Sequence, residues 1–333
     1  MIALSSVGLD RPKLRRMVLF AVNIGFAVIT AAVLAEWRMV LAGAMIAMVA
    51  SFADDDGPLP ARLTMLALAT AGMAAGGIAG HLLGEYPPQF WLLFLAAAFA
   101  AGWLYQAPRG PQLAARVCAI AVSIVAGLPA VTASELELTG AIVAVCALSR
   151  AIDHLLFGPL PDDAGGAPPA GPATSAQRLR FALAYSAVAG SGLWIGLTVD
   201  PIRAIWVSTT TLVVMQADAG ANYRRIVGRI AGTGAGVIAA LALTAVLRTP
   251  PALCAAMVVV AAFLPQYVRT RYWLHSALIA LLVLLAYDLG TADGGGNADM
   301  SALFVDRLTD VSLGAILALV GTAFAFPHRP KLR

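Results

Sequence analysis

The chain has 333 residues, of which 60% are hydrophobic and only 12% charged, whereas soluble proteins carry about 25% charged residues. This composition excludes a soluble globular protein. The mean hydropathy of +0.83 also excludes a disordered chain, because disorder requires few apolar residues and many charges. A membrane helix needs roughly 20 apolar residues, so the length accommodates about twelve spans and no large soluble domain.

Apolar runs predict twelve membrane helices, six on each side of a proline-rich segment. The first run ends at Glu36 and is followed at once by a second run. We therefore predict a membrane helix there and not a cleaved signal sequence. The predicted spans are 17–35, 39–53, 63–84, 90–106, 113–131, 138–158, 178–198, 202–216, 227–247, 251–267, 273–288 and 307–326.

The proline-rich segment from Pro159 to Ser175 contains five prolines and three glycines, a composition that favours an extended or flexible tether. It divides the chain into three predicted parts. These are a first six-helix membrane repeat at 1–158, a cytoplasmic linker at 159–176 and a second six-helix membrane repeat at 177–333.

The two halves resemble each other at a constant offset of 163 residues. The matching pairs are Arg15 with Arg178, Asp55 with Asp218, Gly57 with Gly220, Arg62 with Arg225, Thr70 with Thr233, and Pro87-Pro88 with Pro250-Pro251. Because six is an even number, both halves enter the membrane from the same side and the repeats are parallel. The predicted fold is an all-α polytopic membrane protein with about twelve transmembrane helices in two parallel six-helix repeats.

The basic residues predict the orientation. With the N-terminus inside, the inner loops hold 18 of the 22 Lys and Arg residues, as the positive-inside rule requires. This predicts a multi-pass protein of the cytoplasmic (inner) membrane with both termini in the cytoplasm. The three cysteines lie in apolar runs, and the four histidines lack metal-ligand spacing, so we predict no metal and no cofactor.

Arginines follow one face of the predicted ninth span. Arg225, Arg229 and Thr233 are four residues apart, so they share one stripe that runs from the cytoplasmic end into the membrane. This stripe, preceded by Asp218, is a candidate path for an anion entering from inside. The alternative is that the arginine side chains reach back to lipid headgroups and define only the topology.

Small residues recur at every fourth position of two spans. They are Gly72, Gly76, Gly80 and Gly84 in the third span and Gly228, Gly232 and Gly236 in the ninth. Such bare helix faces predict close helix packing in lipid.

Further polar residues lie inside or at the ends of other spans. Arg307 and Asp310 share a helix face at the outer end of the last span. They form either an exit site for the substrate or a local ion pair. Hydroxyl groups lie near the middle of the membrane at Tyr185, Ser208 and Thr209. They either line a polar cavity or form hydrogen bonds between helices. His275 is a candidate for proton coupling, because the pKa of histidine lies near neutrality.

The second half carries a family resemblance. It rests on Gln216, Asp218, Gly220, Arg225, Arg229, Ile230, Gly232, Thr233 and Gly236, and on Arg307, Asp310 and Gly314. This pattern resembles the signature of the fusaric acid resistance family, which includes bacterial aromatic acid exporters and has distant relatives among the aluminium-activated malate transporters. The resemblance covers roughly 178–327 well. In the first half the resemblance is weaker, because Leu66 stands at the position that corresponds to Arg229. In the second half, Ala217 replaces a proline found in many members of the family.

The resemblance implies an inner-membrane transporter that exports or conducts organic anions, above all aromatic carboxylic acids, from the cytoplasm. It also implies a periplasmic adaptor in some members. We predict a protein in the lipid bilayer that acts on a small organic anion, does not bind nucleic acid, and is a monomer or a homodimer. One alternative is a passive organic-anion channel.

Two other interpretations of the sequence assign the protein to different functional classes. A membrane-embedded Mg-dependent transferase would use Asp54, Asp55 and Asp56, because clustered carboxylates suit a hard cation. A membrane scaffold without transport is the third reading, and it is favoured if the arginine stripe faces headgroups.

Overall fold

The computed structural model describes residues 11–54, 56–84, 86–127, 131–160, 174–199, 201–215, 219–268, 270–292 and 300–326. These residues form twelve α-helices and one short 3-10 turn. The helices are Arg11–Val33 (α1), Trp37–Phe52 (α2), Leu59–Leu83 (α3), Pro88–Trp103 (α4), Arg109–Val125 (α5), Ala133–Phe157 (α6), Ser175–Val199 (α7), Pro201–Val214 (α8), Ala219–Val246 (α9), Pro250–Tyr267 (α10), Tyr272–Ala292 (α11) and Met300–Ala325 (α12).

Nine of the helices in the described part of the chain are long and apolar enough to cross a membrane. They confirm an all-α polytopic membrane protein. The other three helices are shorter. α2 has 16 residues, α5 has 17 and α8 has 14. At about 1.5 Å per residue, α8 falls well short of the roughly 30 Å hydrocarbon layer. The twelve helices match the number of predicted spans, and in the described part of the chain nine of them have the length and apolarity of a full membrane span.

Local sequence signals account for several helix ends. Thr132 caps α6, because its hydroxyl accepts a hydrogen bond from the Glu135 amide at 3.2 Å. The Glu135 carboxylate in turn accepts from the Thr132 amide at 2.8 Å, which completes a capping box. Pro88 and Pro250 occupy the first positions of α4 and α10, where a proline loses no helical hydrogen bond. Gly158 ends α6 with φ +72°, a conformation that glycine adopts without strain.

The helices fall into two compact units. The first unit contains α1, α2, α6, α10 and α11, with the part of α3 before residue 67 and the part of α9 from residue 232. The second contains α4, α5, α7 and α8, with the rest of α3 and α9 and with α12 from residue 302. Neither unit coincides with a predicted repeat, since each draws helices from both halves of the chain. The two six-helix repeats remain a prediction.

Each unit has its own packing. In the first, α1 contacts α2, α6 and α10, and α11 contacts α2 and α10. In the second, α7 contacts α4 and α8, and α5 contacts the same two helices. The core of the second unit is rich in aromatic rings, among them Phe90, Phe94 and Phe181.

The predicted glycine faces do mediate close packing. A Cβ atom at Gly72 or Gly76 would overlap the carbonyl oxygen of Ala114 or Cys118 on α5. On α9, a Cβ atom at Gly232 would overlap the Trp273 carbonyl oxygen of α11. These glycines are needed because the neighbouring backbone occupies the space of a side chain. Gly84 differs, since it ends α3 with φ +50° and has open space around it.

Candidate functional site

A run of buried hydroxyls lies on α8 in the second unit. Ser208 and Thr211 are at most 2% exposed, and each donates to a carbonyl oxygen of its own helix, at 3.2 Å to Ile205 and 2.7 Å to Ser208. Gly192 of α7 and Gly314 of α12 both pack against this run, because a Cβ at Gly314 would lie 2.6 Å from the Val207 carbonyl oxygen. The predicted polar residues therefore sit where three helices meet.

Thr209 differs from its neighbours on α8. Its side chain is 8% exposed, and within the described residues its hydroxyl has no hydrogen-bond partner. A buried hydroxyl without a partner costs about 1–3 kcal/mol. Thr209 is thus a polar group to which a ligand could add a hydrogen bond.

Tyr185 connects α7 to α8 just after the run of buried hydroxyls. Its side chain is 2% exposed, and its hydroxyl donates to the Leu212 carbonyl oxygen on α8. Arg116 of α5 also hydrogen bonds to Tyr185. Tyr185 therefore joins three helices, and this favours interhelical bonding over the cavity-lining role also predicted for it.

Arg307 lies on α12 at the level where α8 begins. Its guanidinium carbon is 3.7 Å from the centroid of the Trp206 ring, which is van der Waals contact with the ring face. Arg307 and Asp310 are 5% and 3% exposed, and their spacing of three residues places them on one helix face. The predicted pair of charges is therefore buried, and Arg307 has an aromatic neighbour that the sequence spacing did not indicate.

The arginine stripe lies on α9. Arg229 is 5% exposed and Thr233 is 1% exposed, while Arg225 is half-buried and Arg224 is exposed. The burial of Arg229 argues against the alternative interpretation that its side chain reaches the lipid headgroups. Asp218, which precedes the stripe, lies outside the described residues.

A cluster of five buried or partly buried charges occupies the first unit. Arg62 has a fully buried side chain and donates to Asp54 at 2.8 Å and to Asp153 at 2.8 Å. Arg15 donates to both oxygens of Asp153, at 2.8 and 2.9 Å. The Nε atom of Arg150 lies 3.3 Å from the Asp54 carboxylate. We call these five residues the arginine–aspartate cluster.

This cluster was not predicted, and it carries one more arginine than aspartate. Helix carbonyls supply the remaining acceptors, because Arg15 donates to the Gly158 carbonyl at 2.8 Å and Arg150 to the Cys146 carbonyl at 2.6 Å. Gly158 directly follows the C-terminus of α6, where the helix dipole favours a positive charge, and Cys146 lies in the middle of the same helix. The signal that could have found the cluster is Arg150-x-x-Asp153 within an apolar span, since charges there need partners.

The cluster bears on the transferase alternative. Asp54 faces Arg62 and Arg150, and Asp56 forms an ion pair with Arg16. Asp55 lies outside the described residues. Among the described residues, no group of three or more His, Cys, Asp or Glu side chains is placed to hold a metal. The two described aspartates are thus engaged by arginines, an arrangement that competes with binding of a cation.

His275 is buried in the first unit, at 6% exposure. Its Nδ1 atom lies 3.1 Å from the Leu264 carbonyl oxygen, and its ring meets the Phe52 ring edge to face at 5.4 Å. The imidazole therefore bonds between α11 and α10. Its role in proton coupling stays a prediction.

Comparison with known proteins identifies one family. Residues 187–321 match the family model described as fusaric acid resistance protein-like, which confirms the resemblance predicted for the second half. The matched segment includes every predicted pathway residue except Tyr185. No curated protein and no solved structure matches the chain. With the nine candidate spans, the match supports a multi-pass membrane protein of the transporter or resistance type.

Proposed function

We propose that the protein is an inner-membrane transporter that moves organic anions, aromatic carboxylic acids in particular, out of the cytoplasm. The observation that carries this proposal is the burial of Arg229. Its side chain is 5% exposed within a helix that is long and apolar enough to span a membrane. An ionisable residue in such a place is expensive and is by default a functional-site hypothesis.

The positions of the other residues fit a path for an anion. Arg225 is half-buried one turn before Arg229, and Thr233 follows one turn later. An anion from the cytoplasm would meet Arg225 first and Arg229 next. It would then meet the hydroxyls of α8 and Arg307, which contacts Trp206 near the start of that helix. The inside-negative potential drives an anion outward by about 2.3 kcal/mol per charge per 100 mV.

Two short helices add support. α2 and α8 have 16 and 14 residues, and they lie in corresponding positions of the two predicted repeats. In transporters built from repeats, a pair of short hydrophobic segments at corresponding positions points to the binding site. α8 carries the buried hydroxyls, which favours a site on the second half of the chain.

The test measures efflux of benzoate from proteoliposomes at an imposed potential. We expect Arg229→Ala to lower the initial rate about tenfold or more, since a buried cation that meets the anion is removed. Arg229→Lys keeps the charge but not the planar fork of donors, so it should retain part of the rate. Arg224→Ala is the matched control, because Arg224 is exposed on the same helix.

Two results would contradict the proposal. One is an unchanged rate in Arg229→Ala. The other is the absence of flux above empty liposomes for several organic anions. An imposed pH gradient separates the two transport mechanisms, since a proton-coupled exporter responds to it and a passive channel responds only to the potential. If His275 carries the coupling proton, His275→Gln removes the response to pH and keeps the response to potential.

A further inference from the structure

One face of α8 differs from the rest of that helix. Trp206, Thr209 and Val213 are three and four residues apart, so they share a face. Trp206 and Val213 are partly exposed, whereas Val207, Ser208, Thr210, Thr211, Leu212 and Val214 are at most 2% exposed. Among the described side chains of α8, at 205–214, this face is therefore the least buried.

Three groups with complementary chemistry meet along this face. The guanidinium of Arg307 lies 3.7 Å above the Trp206 ring. One turn along α8, the hydroxyl of Thr209 is more than nine-tenths buried and has no partner within the described residues. Thr209 lacks even the bond to a helix carbonyl that Ser208 and Thr211 make. A cation, an aromatic plane and an unused hydroxyl are thus side by side.

The contact of the Arg307 guanidinium with the face of the Trp206 ring restricts how a ligand would bind. A guanidinium that lies on a ring uses its flat face for that contact, so its N–H donors point outward in its own plane. A carboxylate bound bidentately lies in the same plane. An aromatic ring attached to that carboxylate is coplanar with it and therefore runs parallel to the indole, in the offset arrangement that aromatic pairs prefer.

We propose that Trp206, Thr209 and Arg307 form a binding site selective for planar aromatic carboxylates. Arg307 binds the carboxylate, Trp206 selects the flat ring, and Thr209 donates to a carboxylate oxygen. Asp310, one turn from Arg307 on the same face, is a second carboxylate for that arginine and limits how tightly the substrate is held. The inference rests on the proposed function and assigns its selectivity to Trp206.

The experiment compares benzoate with cyclohexanecarboxylate, which has the same charge and a similar size but a puckered ring. Efflux of each acid is measured from vesicles of phosphatidylethanolamine and phosphatidylglycerol at one imposed potential. We expect the unmodified protein to prefer benzoate. Trp206→Leu should lower the ratio of the two rates about two- to tenfold, the range of one aromatic contact. Trp206→Phe should keep most of the ratio.

Trp194→Leu is the matched control, because Trp194 is 61% exposed on α7. Thr209→Val tests the hydroxyl without a change of shape. We expect it to raise KM for both acids alike and to leave thermal stability unchanged or improved, since an unsatisfied hydroxyl is removed. Thr244→Val, which deletes a hydroxyl bonded to the Ala240 carbonyl, should leave both KM values unchanged.

The possible failures are distinguishable. If the unmodified protein carries neither acid, the proposed function and this site both fail. If it carries both acids and Trp206→Leu leaves the ratio unchanged, the site alone is refuted. Should Trp206→Leu not fold, an unchanged KM in Thr209→Val refutes the site independently.

Discussion

Replacement of Asp153 by asparagine should destabilise the protein more than any other single change in the arginine–aspartate cluster. The carboxylate accepts three hydrogen bonds, at 2.8 and 2.9 Å from Arg15 and 2.8 Å from Arg62. Its side chain is 7% exposed and that of Arg62 is fully buried. Removal of one partner from a buried pair costs about 3–5 kcal/mol, because an uncompensated charge remains. Asparagine would also turn an amide donor toward guanidinium donors.

Arg62→Met should cost less, although Arg62 is the most buried member of the cluster. Its removal leaves two separate pairs, Arg15 with Asp153 and Arg150 with Asp54. The cluster then has equal numbers of both charges, and an apolar side chain fills the space. Removal of one ion is costly mainly when it leaves an uncompensated buried charge, and here each remaining charge keeps an oppositely charged partner. Asp56→Asn is the control, because the pair with Arg16 is 22% and 17% exposed and such pairs contribute about 0–1 kcal/mol.

The assay is thermal unfolding of each variant in one detergent, followed by gel filtration after heating. We expect the loss in Tm to decrease from Asp153→Asn to Arg62→Met to Asp56→Asn. The reasoning is refuted if Arg62→Met lowers Tm as much as Asp153→Asn. In that case the packing of the Arg62 side chain, and not the balance of charge, would decide the stability.

Two more predictions concern helix packing. Gly232→Leu should prevent accumulation of folded protein, since its Cβ would overlap the Trp273 carbonyl oxygen. Gly234→Leu is the control on the same helix, because its side chain meets open space and the variant should express normally. Equal yields of the two variants from membranes would contradict this packing. Tyr185→Phe should lower stability by about 1–3 kcal/mol, because the Leu212 carbonyl and Arg116 both lose a partner, and an unchanged Tm would show that the hydroxyl contributes nothing.

Local patterns in the sequence predicted much of what the structure contains. The nine spans follow from runs of apolar residues, and the buried stripe of Arg229 and Thr233 follows from a spacing of four. The close packing at Gly72 and Gly232 follows from the same kind of repeat. Each of these features depends on neighbours within a few turns of one helix.

Features that join distant residues could not be predicted in this way. Arg62 and Asp153 are 91 residues apart, and Arg15 and Asp153 are 138 apart, so no periodicity connects them. The contact of Arg307 with Trp206 likewise joins two helices that are far apart in the chain.

The make-up of the compact units changes what the linker has to do. In the first unit, α1, α2 and α6 come from the first half of the chain, and α10 and α11 come from the second half. In the second unit, α4 and α5 come from the first half, and α7, α8 and most of α12 come from the second half. A cut within 161–173 would therefore leave each unit built from two separate fragments, as in a domain-swapped dimer. On this division, the linker would connect two fragments that together build both units. It raises the effective concentration of each half around the other, so its length should affect assembly more than transport.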